Sequence, residues 1–199
     1  IFRNQDQSLC TTTDILLHSD MRGIGGELVQ SFPLKSVSVS TSVATSMLVE
    51  AALCLQNAHT ITPDNATLAF EFGSLFYALG LKEDARPHSE SRGVAVLKTA
   101  VVALFQFLRF SKHDSNYGSR VSCTLRILHL LVQYPTEFAP IFRDLSQSTP
   151  ATAWTPILPQ LCARLRHPNA LIADQVYLLL ERIARAAPHS LVATVVADE

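Results

Sequence analysis

From Thr41 to the C-terminus the apolar residues recur at three- and four-residue spacing, and strict alternation never lasts more than a few positions. A chain patterned this way buries apolar stripes helix against helix, because no pair of strands exists to build a sheet. The reading is therefore all-α. Residues 36–42 alternate Ser and Val, but without a second strand to pair with they read as a linker. Composition supports a packed chain: 48% of 199 residues are hydrophobic and 17% charged, which excludes disorder and collagen-like repeats.

Val43, Met47, Ala51, Cys54 and Leu55 share one helical face, and Leu68, Phe72, Leu75, Phe76 and Leu79 share another, so 42–80 reads as an antiparallel helix pair. Thr62, Pro63 and Asp64 signal the second start: a side-chain oxygen for an orphan amide, a proline where none is needed, and a carboxylate at the positive helix end. Gly80 closes that helix. The polar stretch 82–92, with Pro87, is a loop. Residues 94–110 are apolar on nearly all sides, which predicts a helix packed on several neighbours; with Lys98, Gln106 and Arg109 inside, the run is too short for an ordinary membrane span. After a loop at 111–118, Val121, Leu125, Leu128 and Val132 line one side of a helix that Pro135 ends. A short helix follows over 138–145, then one over 154–165 with Pro156 and Pro159 in its first turns. In the last helix, over 169–187, Ile172, Val176, Leu179, Leu180, Ile183 and Ala187 face inward, while Asp174, Glu181, Arg182 and Arg185 face outward. Segments 125–135 and 178–188 echo each other at an offset of 53 residues, long for a regular HEAT unit. The architecture expected is an α-solenoid of irregular HEAT- or TPR-like helix pairs. Residues 1–40 form a poorly defined N-terminal segment or linker, where Thr11 and Asp14 cap a short helix and Gly23, Gly25 and Gly26 break it; 41–199 form the helical-repeat domain. A chain that opens on Ile1 and closes on Asp198 and Glu199 reads as a piece of something larger.

Chemistry is sparse. A net charge of -1 offers no attraction to a nucleic-acid backbone or an anionic membrane. Cys10, Cys54, Cys123 and Cys162 lie roughly 40 to 70 residues apart with no CxxC and no histidine at ligand spacing, and read as reduced core thiols of an intracellular protein. The seven histidines stand singly, so no metal set is expected. The Gly23 turn lacks the strand and Lys-Ser or Lys-Thr of a phosphate loop. Asn65, Ala66, Thr67 is a formal glycosylation sequon inside a helix start. Arg164, Arg166 and His167 complement the end of the 154–165 helix. Phe70, Phe72, Phe76, Tyr77, Phe105, Phe107 and Phe110 are core, with Arg109 the basic residue interleaved among them. Trp154 recurs with Ile157, Leu158 and Leu161 and is expected to anchor the junction between the last helix pair and the one before. Leu171, Tyr177 and Leu178 form a second apolar row on the last helix, with no later element to cover it, and are the candidate interface. No catalytic, cofactor-binding or metal-binding residue is expected, and no enzymatic activity for this chain alone.

The stretch Trp154, Thr155, Pro156, Ile157, Leu158, Pro159, Gln160, Leu161, Cys162, Ala163, Arg164, Leu165 resembles a signature near the C-terminal end of the FAT region in phosphatidylinositol-kinase-related protein kinases. Leu158, Pro159, Gln160, Leu161, Ala163, Arg164 and Leu165 match it in order. Leu125, Arg126, Ile127, Leu128 stand where such chains have a Leu-Arg-x-Leu helix, and Pro188, His189, Ser190, Leu191, Val192 resemble a later Pro-x-x-Leu segment. Ser148, Thr149 and Pro150 before the tryptophan, and His167 and Pro168 after it, are most similar to the branch that acts in nonsense-mediated mRNA decay. The resemblance spans residues 62–192; Ala193 and Thr194 depart from it where the family has Tyr-Pro. It implies a helical scaffold that clasps the kinase domain of a very large kinase acting at Ser-Gln and Thr-Gln sites. Partners so implied are that kinase domain, neighbouring helical repeats and regulatory protein subunits, with no direct nucleic acid or membrane, in the cytoplasm and nucleus. ATP and magnesium would belong to the kinase domain, whose catalytic-loop Asp and Asp-Phe-Gly are not found here. The family's inositol-phosphate lysines have no placed counterpart. The residues taken alone also fit a stand-alone HEAT- or TPR-like adaptor that binds a protein partner in its groove.

Overall fold

The computed structural model describes residues 43–85, 90–111 and 117–197, and every element among them is helical. The chain divides into two compact units, Ile1–Ala51 and Ala52–Glu199. Of the first, only the opening turns of α1 (Val43–Ile61) fall among the described residues. The expectations for 1–42, including the helix at Thr11, the Gly23 turn, the Ser/Val linker and Cys10, lie outside them.

The second unit continues from α1 into α2 (Ala66–Asp84) and α3 (Glu90–Phe110). Thr62 does not start α2. Its amide and hydroxyl both bond back to the Ala58 carbonyl, extending α1, and Asn65 takes the cap with an extended backbone and Oδ1 accepting from the Leu68 amide at 3.2 Å. Gly80 does not end α2 either. The inward face is Ala69, Phe72, Gly73, Phe76 and Gly80, while Leu68, Leu75 and Leu79 are half-buried. A Cβ on Gly73 would lie 2.9 Å from the Leu104 side chain, and one on Gly80 would lie 2.6 Å from that of Leu97. The glycines thus let α3 pass at close range, running antiparallel. At the end of the hairpin a Cβ on Gly93 would meet the Asp84 backbone amide at 2.6 Å. Because α2 runs to Asp84 and α3 begins at Glu90, the loop lies within the expected 82–92 and is shorter.

α3 is the central helix. Leu97, Ala100, Val101, Ala103, Leu104, Phe105, Phe107 and Leu108 are buried around most of its circumference. Its Arg92–Phe110 stretch is, against expectation, long and apolar enough to cross a membrane, and half of it is covered by the protein's own helices, as befits a core helix.

Next come α4 (Tyr117–Gln133) and α5 (Pro135–Ser148), and later α7 (Ala170–Ala186) and α8 (Pro188–Ala197). Each pair is separated by one residue: Tyr134 at φ -132°, ψ 64°, and Ala187 at φ -144°, ψ 64°. A residue before proline is pushed out of the α region, and proline then fits the first position of the next helix, where no amide is required. The echo at 53 residues is this corner used twice. Pro135 and Pro188 therefore start helices as well as stop them, which is why α5 is longer than 138–145 and why α8 exists.

Between the two pairs, the helix expected over 154–165 is broken into a 3-10 helix (Ala151–Ile157), the short α6 (Leu158–Cys162) and turns through Arg166. Pro156 and Pro159 withdraw two amides, so a continuous ladder is not available. Trp154 is fully buried in the 3-10 helix, its ring 5.8 Å from Phe105 and 5.5 Å from Phe142. One apolar core runs from Ala69 of α2 through this cluster to Ile183 of α7.

Three further expectations change. Cys123 is buried, its thiol donating to the Leu104 carbonyl at 3.2 Å and its ionisation pushed well up by burial, and Cys162 is half-buried; Cys54, however, is exposed. The inward row of α1 is Ala52, Leu55, Gln56 and His59, one step round from the predicted face. Arg182 is not simply an outward charge. Its guanidinium donates to the Ser146 carbonyl at 2.5 Å and the Thr149 carbonyl at 2.9 Å, closing the C-terminal end of α5 from a different helix.

Candidate interaction surfaces

α7 is set in place by its first residues. Asn169 Oδ1 accepts from the Leu171 amide at 3.0 Å, and the Asn169 amide donates to His167 Nδ1 at 3.2 Å. With the helix so started, Ile172, Gln175, Val176, Leu179, Leu180 and Ile183 turn to the core. Leu171, Tyr177 and Leu178 remain 40%, 61% and 44% exposed, beside Asp174 and the 2.6 Å Arg185–Glu181 pair. α8 does follow α7 and packs against it and α6, with Leu191 on the core, yet that row stays open. Leu125 on α4, the counterpart of Leu178 in the echo, is exposed as well. Trp154 lies far from any such role, since none of its surface reaches solvent.

A second surface joins α2 to α4 and was not legible from either helix alone. Arg126 lies over two rings, 5.7 Å from the centroid of Phe70 and 5.4 Å from that of Tyr77, and it donates to Ser74 Oγ. Arg109 is therefore not the one basic residue among these aromatics. The Tyr77 hydroxyl pairs with His129 Nδ1 at 3.0 Å. Burial pushes the Tyr77 phenol up, with Arg126 opposing. The only hint in the sequence is that Ser74 and Tyr77 share the i, i+3 spacing of Arg126 and His129.

Two polar links lie nearer the helix ends. The Tyr134 hydroxyl donates to Asp84 Oδ2 at 2.5 Å, and burial together with that carboxylate pushes the phenol up to about 12. His59, stacked on Phe72 at 5.3 Å, bonds through Nε2 to Gln106 Oε1 at 2.6 Å; burial lowers its basicity and the Gln106 bond partly opposes this. The imidazole is therefore neutral, with Nε2–H as donor. Arg164, expected to serve a helix end, donates to the Gln160 carbonyl at 2.9 Å. Among the described residues no three His, Cys, Asp or Glu side chains gather as a metal would require.

No protein-family model matches the chain, and no solved structure matches it. It is 42% identical over 99 residues to the probable serine/threonine-protein kinase smg1 of Dictyostelium discoideum, covering 48% of this chain and 4% of that protein. Over 92 residues it is 37% identical to serine/threonine-protein kinase smg-1 of Caenorhabditis briggsae, covering 46% and 4%. Over 69 residues it is 42% identical to serine/threonine-protein kinase SMG1 of Danio rerio, covering 35% and 2%. The chain spans a few per cent of the length of these relatives. The resemblance read around Trp154 and these matches meet on the same kinases: this chain, helical in every element among its described residues, is similar, over up to about half its length, to a short segment of the smg1-type serine/threonine-protein kinases.

Proposed function

We propose that the chain is a non-catalytic, FAT-like scaffold segment of a large serine/threonine-protein kinase, packing against the kinase domain and neighbouring helical repeats in a protein of nonsense-mediated mRNA decay. The observation that carries this is the conjunction of kinase relatives with a helical segment that covers only a few per cent of their length. The exposed Leu171, Tyr177 and Leu178 row supports a further docking partner, because α7 has already spent its other face on the core. ATP and magnesium are then held by the kinase domain, the segment itself turns over nothing, and its setting is intracellular, in the cytoplasm and nucleus. Regulatory protein subunits are further candidates for contact.

The test is capture of the separately produced kinase domain of the same parent protein by this chain. Binding is expected, and Leu171→Glu with Leu178→Glu is expected to weaken it at least about tenfold while leaving the helical circular dichroism unchanged. Undiminished capture would remove the row from the interface. Loss of helicity would make it core.

A further inference from the structure

Arg126 is held but not spent. A guanidinium carries five N–H donors, and the hydrogen bond that the structure gives it goes to Ser74 Oγ. Its Cζ lies 5.7 Å from the Phe70 ring centroid and 5.4 Å from that of Tyr77, and no carboxylate pairs with it among the described residues. Glu71, one turn before Ser74, is exposed and makes no such pair. His129, one turn along α4, pairs through Nδ1 with the Tyr77 hydroxyl, and its Nε2 lies on the far side of an exposed ring. Leu125, beside Arg126 and one turn before His129, is 39% exposed. Together these make a planar cationic fork, an exposed imidazole nitrogen and an apolar contact on one helix.

We propose that Arg126 and His129 form a receiving site for a carboxylate side chain of a partner protein, an Asp or Glu flanked by an apolar residue that rests on Leu125. The match is in shape and charge. A guanidinium fork presents parallel donors to the two oxygens of a carboxylate, and a single cation balances a single anion. A phosphate, with more charge and three acceptor oxygens, would call for further basic groups, and among the described residues no lysine or second arginine belongs to this cluster. Rings that fix the guanidinium before binding lower the ordering cost of the complex. The proposal does not depend on the kinase-domain contact of α7, since it uses residues of α4 instead.

The probe is N-acetyl-Leu-Glu-amide, titrated into the whole chain and followed through the Arg126 Nε–H and His129 ring resonances. N-acetyl-Leu-Gln-amide and inorganic phosphate serve as comparisons. Saturable shifts with the Glu probe and none with the Gln probe are expected. Arg126→Lys, which keeps the charge but loses the fork, should weaken binding about tenfold, and His129→Ala about threefold, both with unchanged helicity. Equal response to the Glu and Gln probes, tighter binding of phosphate, or a folded Arg126→Lys chain with undiminished affinity would each overturn it. Should Arg126→Lys not fold, the Glu and Gln comparison and the exposed His129→Ala variant decide.

Discussion

Trp154 was legible as a packing residue because its neighbours Ile157, Leu158 and Leu161 recur with it, and in the structure it is enclosed by Phe105 and Phe142. Trp154→Ala is expected to cost about 3 to 5 kcal/mol, a large share of a domain's stability, and urea denaturation measures it. His59 carries a pH consequence. Burial depresses its folded-state pKa below the ordinary 6.5, so below that value the unfolded chain binds more protons than the folded one. Stability should therefore hold above 6.5 and fall as the pH drops toward the lowered value. Following the urea midpoint through that window, with His59→Phe removing the slope, checks this. Neither His59 nor Arg182 announced its role in the sequence. A charge symbol on an apparently outer row does not show that a guanidinium reaches the carbonyls of Ser146 and Thr149, because those lie more than thirty positions back. Cys54 misled for a local reason: its row reads as the more apolar one, whereas the buried row carries Gln56 and His59, and His59 is accepted there by stacking on Phe72 and bonding to Gln106.

Gly80 is the element-scale counterpart. A glycine late in an apolar run signals a helix end, since it costs a helix interior about 1 kcal/mol relative to alanine. Here contact with Leu97 outweighs that cost, and the helix continues. Gly80→Ala should consequently destabilise the protein by about 1 to 3 kcal/mol although alanine favours helix, with thermal unfolding as the measurement. Prolines carried a double message. That Pro135 and Pro188 stop the preceding helices follows from the sequence; that they open the next ones depends on whether the following residues find something to pack on, as Phe138, Phe142 and Leu191 do. At the first corner the Tyr134 phenol is pinned by Asp84, and its raised pKa adds stability that is complete below its ordinary value near 10. That stability should be lost as the pH climbs from 10 toward 12, and less of it should be lost in Tyr134→Phe.

For the molecule as a whole, the helical class and the echo at 53 residues follow from periodicity, whereas the α2–α4 cluster requires side chains about fifty positions apart to meet. The exposed Leu171, Tyr177 and Leu178 row should make the isolated chain self-associate with rising concentration, and Leu171→Glu with Leu178→Glu should return it to a monomer in sedimentation velocity. The glycine-lined hairpin of α2 and α3 also bears on the order of assembly. Only about five residues separate its two helices, so bringing them together closes a very short loop at little entropic cost, whereas α5 and α7 must meet across a longer stretch of chain. We expect this hairpin to belong to the folding nucleus. Gly73→Ala should then slow refolding and scarcely change the unfolding rate, and stopped-flow traces in which only unfolding accelerates would place the hairpin after the barrier. The central helix α3 would in that case gain its first cover from its immediate predecessor in the chain, so that the most apolar segment spends the least time facing water.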